Sequence, residues 1–137
     1  MNFFIFETIS SGIVIGIIFF QTFFVAPIIF SSIEESQSRI FIRKIFPKLF
    51  TLLSIIGFIM ILSNLFLNLD NKVKYISIIN FIIPLICYLI IPATNRATDI
   101  KDKKMFKTLH MISVLLTIFV LFSNMILPFF NTYKLFT

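Results

Sequence analysis

Four long apolar stretches make up most of this chain, and nearly all of its charge falls in the short gaps between them. A helix needs roughly 20 apolar residues to cross the hydrocarbon core of a bilayer. Thr8 to Phe30, Pro47 to Leu69, Tyr75 to Ala93 and Phe106 to Pro128 each meet that requirement. Inside lipid every backbone polar group must be satisfied within the protein, so helices are expected at all of these positions. The expected fold is all-α: a single domain over residues 1–137, forming an integral membrane four-helix bundle. A water-soluble core is excluded, because 58% of the residues are hydrophobic, only 13% are charged, and the mean hydropathy is +1.03.

Twelve basic residues against six acidic ones give a net charge of +6. In a soluble chain such an excess would suggest nucleic acid. Here it follows from the retention of Lys and Arg in cytoplasmic loops, where anionic headgroups also attract them, so lipid and not nucleic acid is the expected partner. The gap after the first stretch holds Arg39, Arg43 and Lys44, with Lys48 just beyond, and the gap after the third holds Arg96, Lys101, Lys103, Lys104 and Lys107. The other side has Lys72, Lys74 and Lys134. Nine basic residues against three place the first and third gaps in the cytoplasm and both termini outside, as a multi-pass protein of the cell inner (plasma) membrane. Residues 1–7 carry no Lys or Arg and the apolar run continues past Pro27, which reads as a retained helix and not a cleaved signal.

The gap Asp70 to Lys74 is so short that the second and third helices must be antiparallel neighbours. The chain also reads as two tandem helical hairpins. Laying residues 45–64 over 105–124 aligns Phe46 with Phe106, Leu49 with Leu109, and Ser63-Asn64 with Ser123-Asn124. Pro27 and Pro92 then occupy corresponding positions near the ends of the first and third helices.

Small residues four apart let helices approach closely in lipid, where packing replaces the missing hydrophobic drive. Gly12 and Gly16, with Thr8 at the same spacing, therefore mark a helix-packing face, expected inside the bundle or, alternatively, between two copies of the chain. Amides also need partners in hydrocarbon. Beside Gln21, the chain places Asn64, Asn80 and Asn124 a few residues from the outer ends of the second, third and fourth helices, where they are expected to share an outer polar layer.

Chemistry-bearing residues are few. Cys87 lies inside the third stretch and reads as a packed apolar residue. The abundance of Phe, Ile, Lys and Asn with no Trp looks like the codon usage of an AT-rich genome and does not mark an aromatic site. His110 is the only histidine, too little for the several ligands that a haem or copper site draws upon. A histidine bonded to a neighbouring helix is the expected role. Glu7, at the outer end of the first helix, is the only acidic residue in any stretch, which argues against a proton-coupled transporter. No metalloprotease, P-loop, paired-cysteine or nucleophile-elbow motif is present, and no catalytic residue or metal ligand set is assigned.

The cytoplasmic ends carry a more distinctive pattern. Pro27 and Pro92 each free a carbonyl, Pro47 suits the first turn of a helix, and Pro27, Pro92, Asn95, His110 and Ser113 are expected to line one polar vestibule. Gly16, Phe19 and Phe20 followed by Val25-Ala26-Pro27 and Phe30, then Phe46-Pro47, Pro92 with Asn95, and Phe106, Leu109, His110 and Ser113, run in this order along nearly the whole chain. This pattern resembles the transmembrane protein 205-like family, also described as domain of unknown function 4149. The resemblance implies a four-helix integral membrane protein without an assigned activity.

Two functions are compatible with these features. The first is binding or passage of a small molecule or lipid, or service as a membrane partner subunit, without cofactor. The alternative is a haem-binding membrane oxidoreductase similar in size and topology to bacterial protoporphyrinogen oxidase. Those enzymes depend on more than one histidine, and here only His110 is present.

Overall fold

The computed structural model describes residues 2–67 and 70–130, with side chains from residue 5 onward. Leu69, the expected end of the second span, and Lys134, counted on the outer side, lie outside the described residues. Within them the chain forms α1 (Asn2–Phe20), a π-helical segment (Gln21–Val25), α2 (Ala26–Ser32), α3 (Glu35–Leu67), α4 (Asn71–Asp99), α5 (Lys103–Ile126) and a short 3-10 turn (Leu127–Phe130). These group into four spans long and apolar enough to cross a membrane, Ile5–Ser32, Glu35–Leu67, Asn71–Asp99 and Lys103–Phe130. The chain is an integral, multi-pass membrane protein.

The breaks have local causes. Pro27 has no N–H to give to the preceding turn. The helix widens just ahead of it, and the Ala26 N–H bonds back to the Gln21 carbonyl. Ile33 leaves the helix with φ −122° and ψ 137°. Asp70 caps α4 by accepting the Lys72 N–H at 3.0 Å, and Asp102 caps α5 by accepting the Met105 N–H at 2.9 Å. Between them Lys101 takes a left-handed φ of 56°, which lets the Asp102 N–H close on the Ala97 carbonyl at 2.9 Å.

Two helices run well beyond their apolar stretches. Helix α3 starts twelve residues before Pro47, so Pro47 lies inside it and not at its first turn. Helix α4 runs on to Asp99 through Pro84 and Pro92. The basic segments expected to be loops are thus largely helical, and Arg43 on α3 pairs with Asp99 and reaches the Asn95 carbonyl at 3.4 Å.

The most extensive packing joins α3 and α4, followed by α4 and α5, while α1 docks chiefly on α5 and only lightly on α3. The tight partnership is therefore across the turn between the second and third spans. Its cause is Gly57: a Cβ there would lie 2.3 Å from the Asn80 carbonyl carbon and 2.4 Å from the Phe81 nitrogen. Only a hydrogen lets these backbones touch. Gly12 and Gly16 behave differently. Nothing lies within 4 Å of a Cβ at either, and both face outward. The expectation that they pack inside the bundle is corrected: the buried stripe of α1 is Glu7, Ser10, Ser11, Val14 and Ile18, on the other side of the helix.

Two apolar clusters hold the bundle. Val14, Ile18, Phe50, Leu53, Cys87 and Val120 form one, and Met60, Val73, Ile76 and Leu127 the other. Cys87 is a free, buried thiol, at home in an apolar cluster.

Candidate functional site: a buried carboxyl and amide layer

Between these clusters lies a polar layer to which every span contributes. On α3, Asn64 Nδ2 lies within bonding distance of the Met60 carbonyl at 2.7 Å, Ser77 Oγ at 2.8 Å and Glu7 Oε1 at 3.1 Å. On α4 and α5, Asn80 Nδ2 donates to Asn124 Oδ1 at 2.9 Å and Asn124 Nδ2 to Asn80 Oδ1 at 2.6 Å. From α1, the Ser11 hydroxyl reaches the Asn124 carbonyl oxygen at 2.8 Å and Oδ1 at 2.9 Å. Glu7, Ser11, Asn64, Ser77, Asn80 and Asn124 are all essentially inaccessible to solvent.

The three asparagines read from the sequence are thus brought together, in two linked groups and not one ring. Asn80 and Asn124 pair directly, Asn80 Nδ2 also reaches Met60 Sδ at 3.3 Å, and Asn64 joins through Met60 and Ser77. The aligned residues Asn64 and Asn124 act alike, each amide bonding back to the carbonyl four residues earlier, Met60 and Val120. Glu7, Ser11 and Ser77 were not singled out as partners of this layer. Glu7 was placed by its distance from the end of the span, whereas its helix face carries it inward. Its spacing of four from Ser11 was the available signal.

The residues expected to share a cytoplasmic vestibule do not converge. His110 is exposed on α5, and its ring stacks on Phe106 at 5.7 Å with planes 3° apart, without a hydrogen bond to Asn95 or another described residue. The expectation of a histidine bonded to a neighbouring helix is corrected: residues 109 to 113 present their outer face at 110. Pro27 and Pro92 are exposed, and the Asn95 carbonyl meets Arg43 instead of His110. Ser113 spends its hydroxyl on the Leu109 carbonyl at 3.2 Å within its own helix. Its carbonyl is approached by the Cys87 thiol at 3.9 Å and the Thr117 hydroxyl at 2.8 Å.

Open space is found at the opposite end of the molecule. A groove of about 230 Å³ between α4 and α5 is lined by Lys72, Tyr75, Ile76, Ser123, Ile126 and Phe130. Lys72 Nζ stands 5.4 Å from the centre of the Phe130 ring across this groove. The polar layer begins one residue further along each wall, at Ser77 and Asn124.

Residues 9–99, which take in most of the first span and all of the second and third, match the family described as domain of unknown function DUF4149. The chain belongs to the DUF4149 family. Comparison with curated proteins and with solved structures gives no match. The DUF4149 match takes in Asn64, Ser77 and Asn80 of the polar layer and the whole of the α3 and α4 contact at Gly57, but neither Glu7 nor Asn124.

Proposed function

We propose that this DUF4149 protein binds, or passes across the bilayer, an amphipathic small molecule or lipid at the groove between α4 and α5, without enzymatic chemistry of its own. The observation that carries the reading is the composition of that groove: apolar walls of Ile76, Ile126 and Phe130 beside the Lys72 ammonium and the Tyr75 and Ser123 hydroxyls. Apolar walls with a few convergent polar groups are the usual form of a ligand site. Its volume of about 230 Å³ suits a chain segment or small headgroup. That is below the roughly 300–1,000 Å³ of pockets for drug-sized ligands, so a macrocycle such as haem is a poor fit.

In the orientation supported by the basic residues, the groove opens at the outer face of the inner (plasma) membrane, and both termini are outside. Lys72 at that depth favours an anionic headgroup, with the acyl chain along the apolar wall. The open stripe of Gly12 and Gly16 supports pairing with a second copy through the first span. Native mass spectrometry of the protein purified in mild detergent tests the groove. Retained anionic lipid that is lost in Lys72→Gln and in Ile126→Trp supports the reading. Equal retention in both variants and the parent sequence would remove the groove as the site.

A further inference from the structure

We propose that Glu7 and Asn64 form a proton-binding site, in which one proton on the Glu7 carboxyl completes a cyclic acid–amide pair and fastens the first span to the bundle. This goes beyond the groove and stands independently of it.

The argument begins with a deficit of donors. Glu7 is fully buried, and its Oε1 lies 3.1 Å from Asn64 Nδ2, whose two hydrogens are shared among Oε1, the Met60 carbonyl and Ser77 Oγ, while Oε2 has no hydrogen-bond partner. Asn64 is 2% exposed, and its Oδ1 also has none. Of the four buried side-chain atoms without a partner among the described residues, two are the Thr8 and Ser54 hydroxyl oxygens, and the other two belong to Glu7 and Asn64, whose Oε1 and Nδ2 already approach each other. Leaving each of them unsatisfied costs about 1–3 kcal/mol, and more for a charged group. A carboxylate has only acceptors to offer, whereas a carboxylic acid has an O–H donor. A proton on Oε2 supplies the amide oxygen with its missing donor, gives Oε2 its missing bond, and removes the charge from the apolar interior.

Other ways of meeting the deficit fall short. The Ser63 hydroxyl lies beside the carboxyl, but a bond from it would leave Asn64 Oδ1 orphaned and the charge in place. A bare metal cation needs a cage of oxygen ligands. Among the described residues no group of three acidic, histidine or cysteine side chains surrounds Glu7, so a cation there would have one carboxylate beside neutral oxygens, and the sodium arm of the experiment below separates it from a proton. Among the described residues a basic partner is missing too. On α1 no other titratable side chain is described, and α3 has none beyond Lys48. On α5 none follows His110, and the 3-10 turn has none. On α4, Lys72 and Tyr75 are exposed and Lys74 is half-buried one turn outward from Ser77, without an ion pair to Glu7.

The site has a mechanical consequence. Among the described residues, α1 is tied to the rest of the bundle by two side-chain hydrogen-bond connections, Glu7 to Asn64 and Ser11 to Asn124. Loss of the proton would set a carboxylate oxygen against an amide oxygen and weaken one of them. Docking of the first span then depends on pH, being complete while the proton is bound and looser as pH rises and it leaves.

Infrared spectroscopy of the whole protein in detergent tests this. The chain has three glutamates, Glu7, Glu34 and Glu35, and the last two are at the surface. In the double variant Glu34→Gln, Glu35→Gln, glutamate labelled with carbon-13 in its carboxyl reports Glu7 alone without touching the site. A protonated-carboxyl band that shifts with the label at neutral pH is expected. It should persist in Lys74→Gln and on adding sodium chloride, and vanish in Glu7→Gln. The melting temperature should fall as pH rises through the range in which the band disappears, and Glu7→Gln, whose amide donates to Asn64 Oδ1 at every pH, should show no such fall. Absence of the band in the folded parent overturns the proposal. So does a band seen only in Lys74→Gln, which would mean a carboxylate paired with that lysine, or one abolished by sodium, which would mean a metal-cation site.

Discussion

Asn80 and Asn124 exchange both hydrogen bonds of a carboxamide pair, at 2.9 and 2.6 Å, across the α4 and α5 interface in the apolar interior. Each amide satisfies the other, so neither is expected to be worth much without its partner. Interhelical polar contacts in membranes contribute roughly 0.6–2 kcal/mol. Asn80→Leu alone leaves the Asn124 amide only Val120 and Ser11, and Asn124→Leu leaves that of Asn80 only the Met60 sulfur. The double substitution should therefore be no worse than the more damaging single one. Denaturation of the four proteins of this cycle in detergent measures the coupling. Additive losses would show that the amides act independently.

Gly57 is the position least tolerant of a side chain. Even Ala would place a carbon at about 2.3 Å from backbone atoms of Asn80. These are not the flexible end of a side chain that could swing away, so α3 and α4 must separate. Overpacking typically costs about 1–3 kcal/mol. A larger cost is expected here, because the displaced helix carries Asn80 away from Asn124. Gly57→Ala should lower the melting temperature markedly and weaken the coupling just described, and Gly57→Leu should abolish accumulation in membranes. Unchanged melting of Gly57→Ala would rule out this backbone contact.

Much of the architecture was legible because hydrocarbon leaves few choices: length and hydropathy locate four helices, and three asparagines in those helices have to find partners. What could not be read was rotation about each helix axis. Glycines four apart mark a smooth stripe, but not whether another helix of the same chain lies against it. Gly12 and Gly16 face away from the bundle, whereas Gly57, with no such spacing to announce it, makes the close contact. Glu7 illustrates the same point. The sequence places it only at the outer end of the first helix, while its place on the Ser11, Val14 and Ile18 face takes it inside. His110 has the reverse history, a polar residue in a span whose helix face turns outward.

The open stripe on α1 leads to a prediction about assembly. Because nothing in the same molecule occupies the space over Gly16, Gly16→Leu should leave the melting temperature of the isolated protein unchanged within about 0.5 kcal/mol of stability. If a second copy uses the stripe, crosslinking in membranes through a cysteine introduced at Ile13 should give dimers that Gly16→Leu removes. Loss of folded protein in Gly16→Leu would restore the internal packing that the structure does not have.

His110 supplies the last prediction. Its ring is exposed and stacked on Phe106, and it bridges no two helices, so replacing it strands no buried partner. His110→Gln and His110→Leu should therefore be similarly mild, each within about 0.5 kcal/mol as for other surface substitutions. The apolar Leu should be at least as well accepted if this face meets lipid. The visible absorption spectrum of the protein purified from cells supplied with a haem precursor adds an independent measurement. An unchanged spectrum in both variants accords with a ring that serves only this surface. A Soret band that disappears in both, with folding intact, would make the imidazole an axial ligand and restore the oxidoreductase reading.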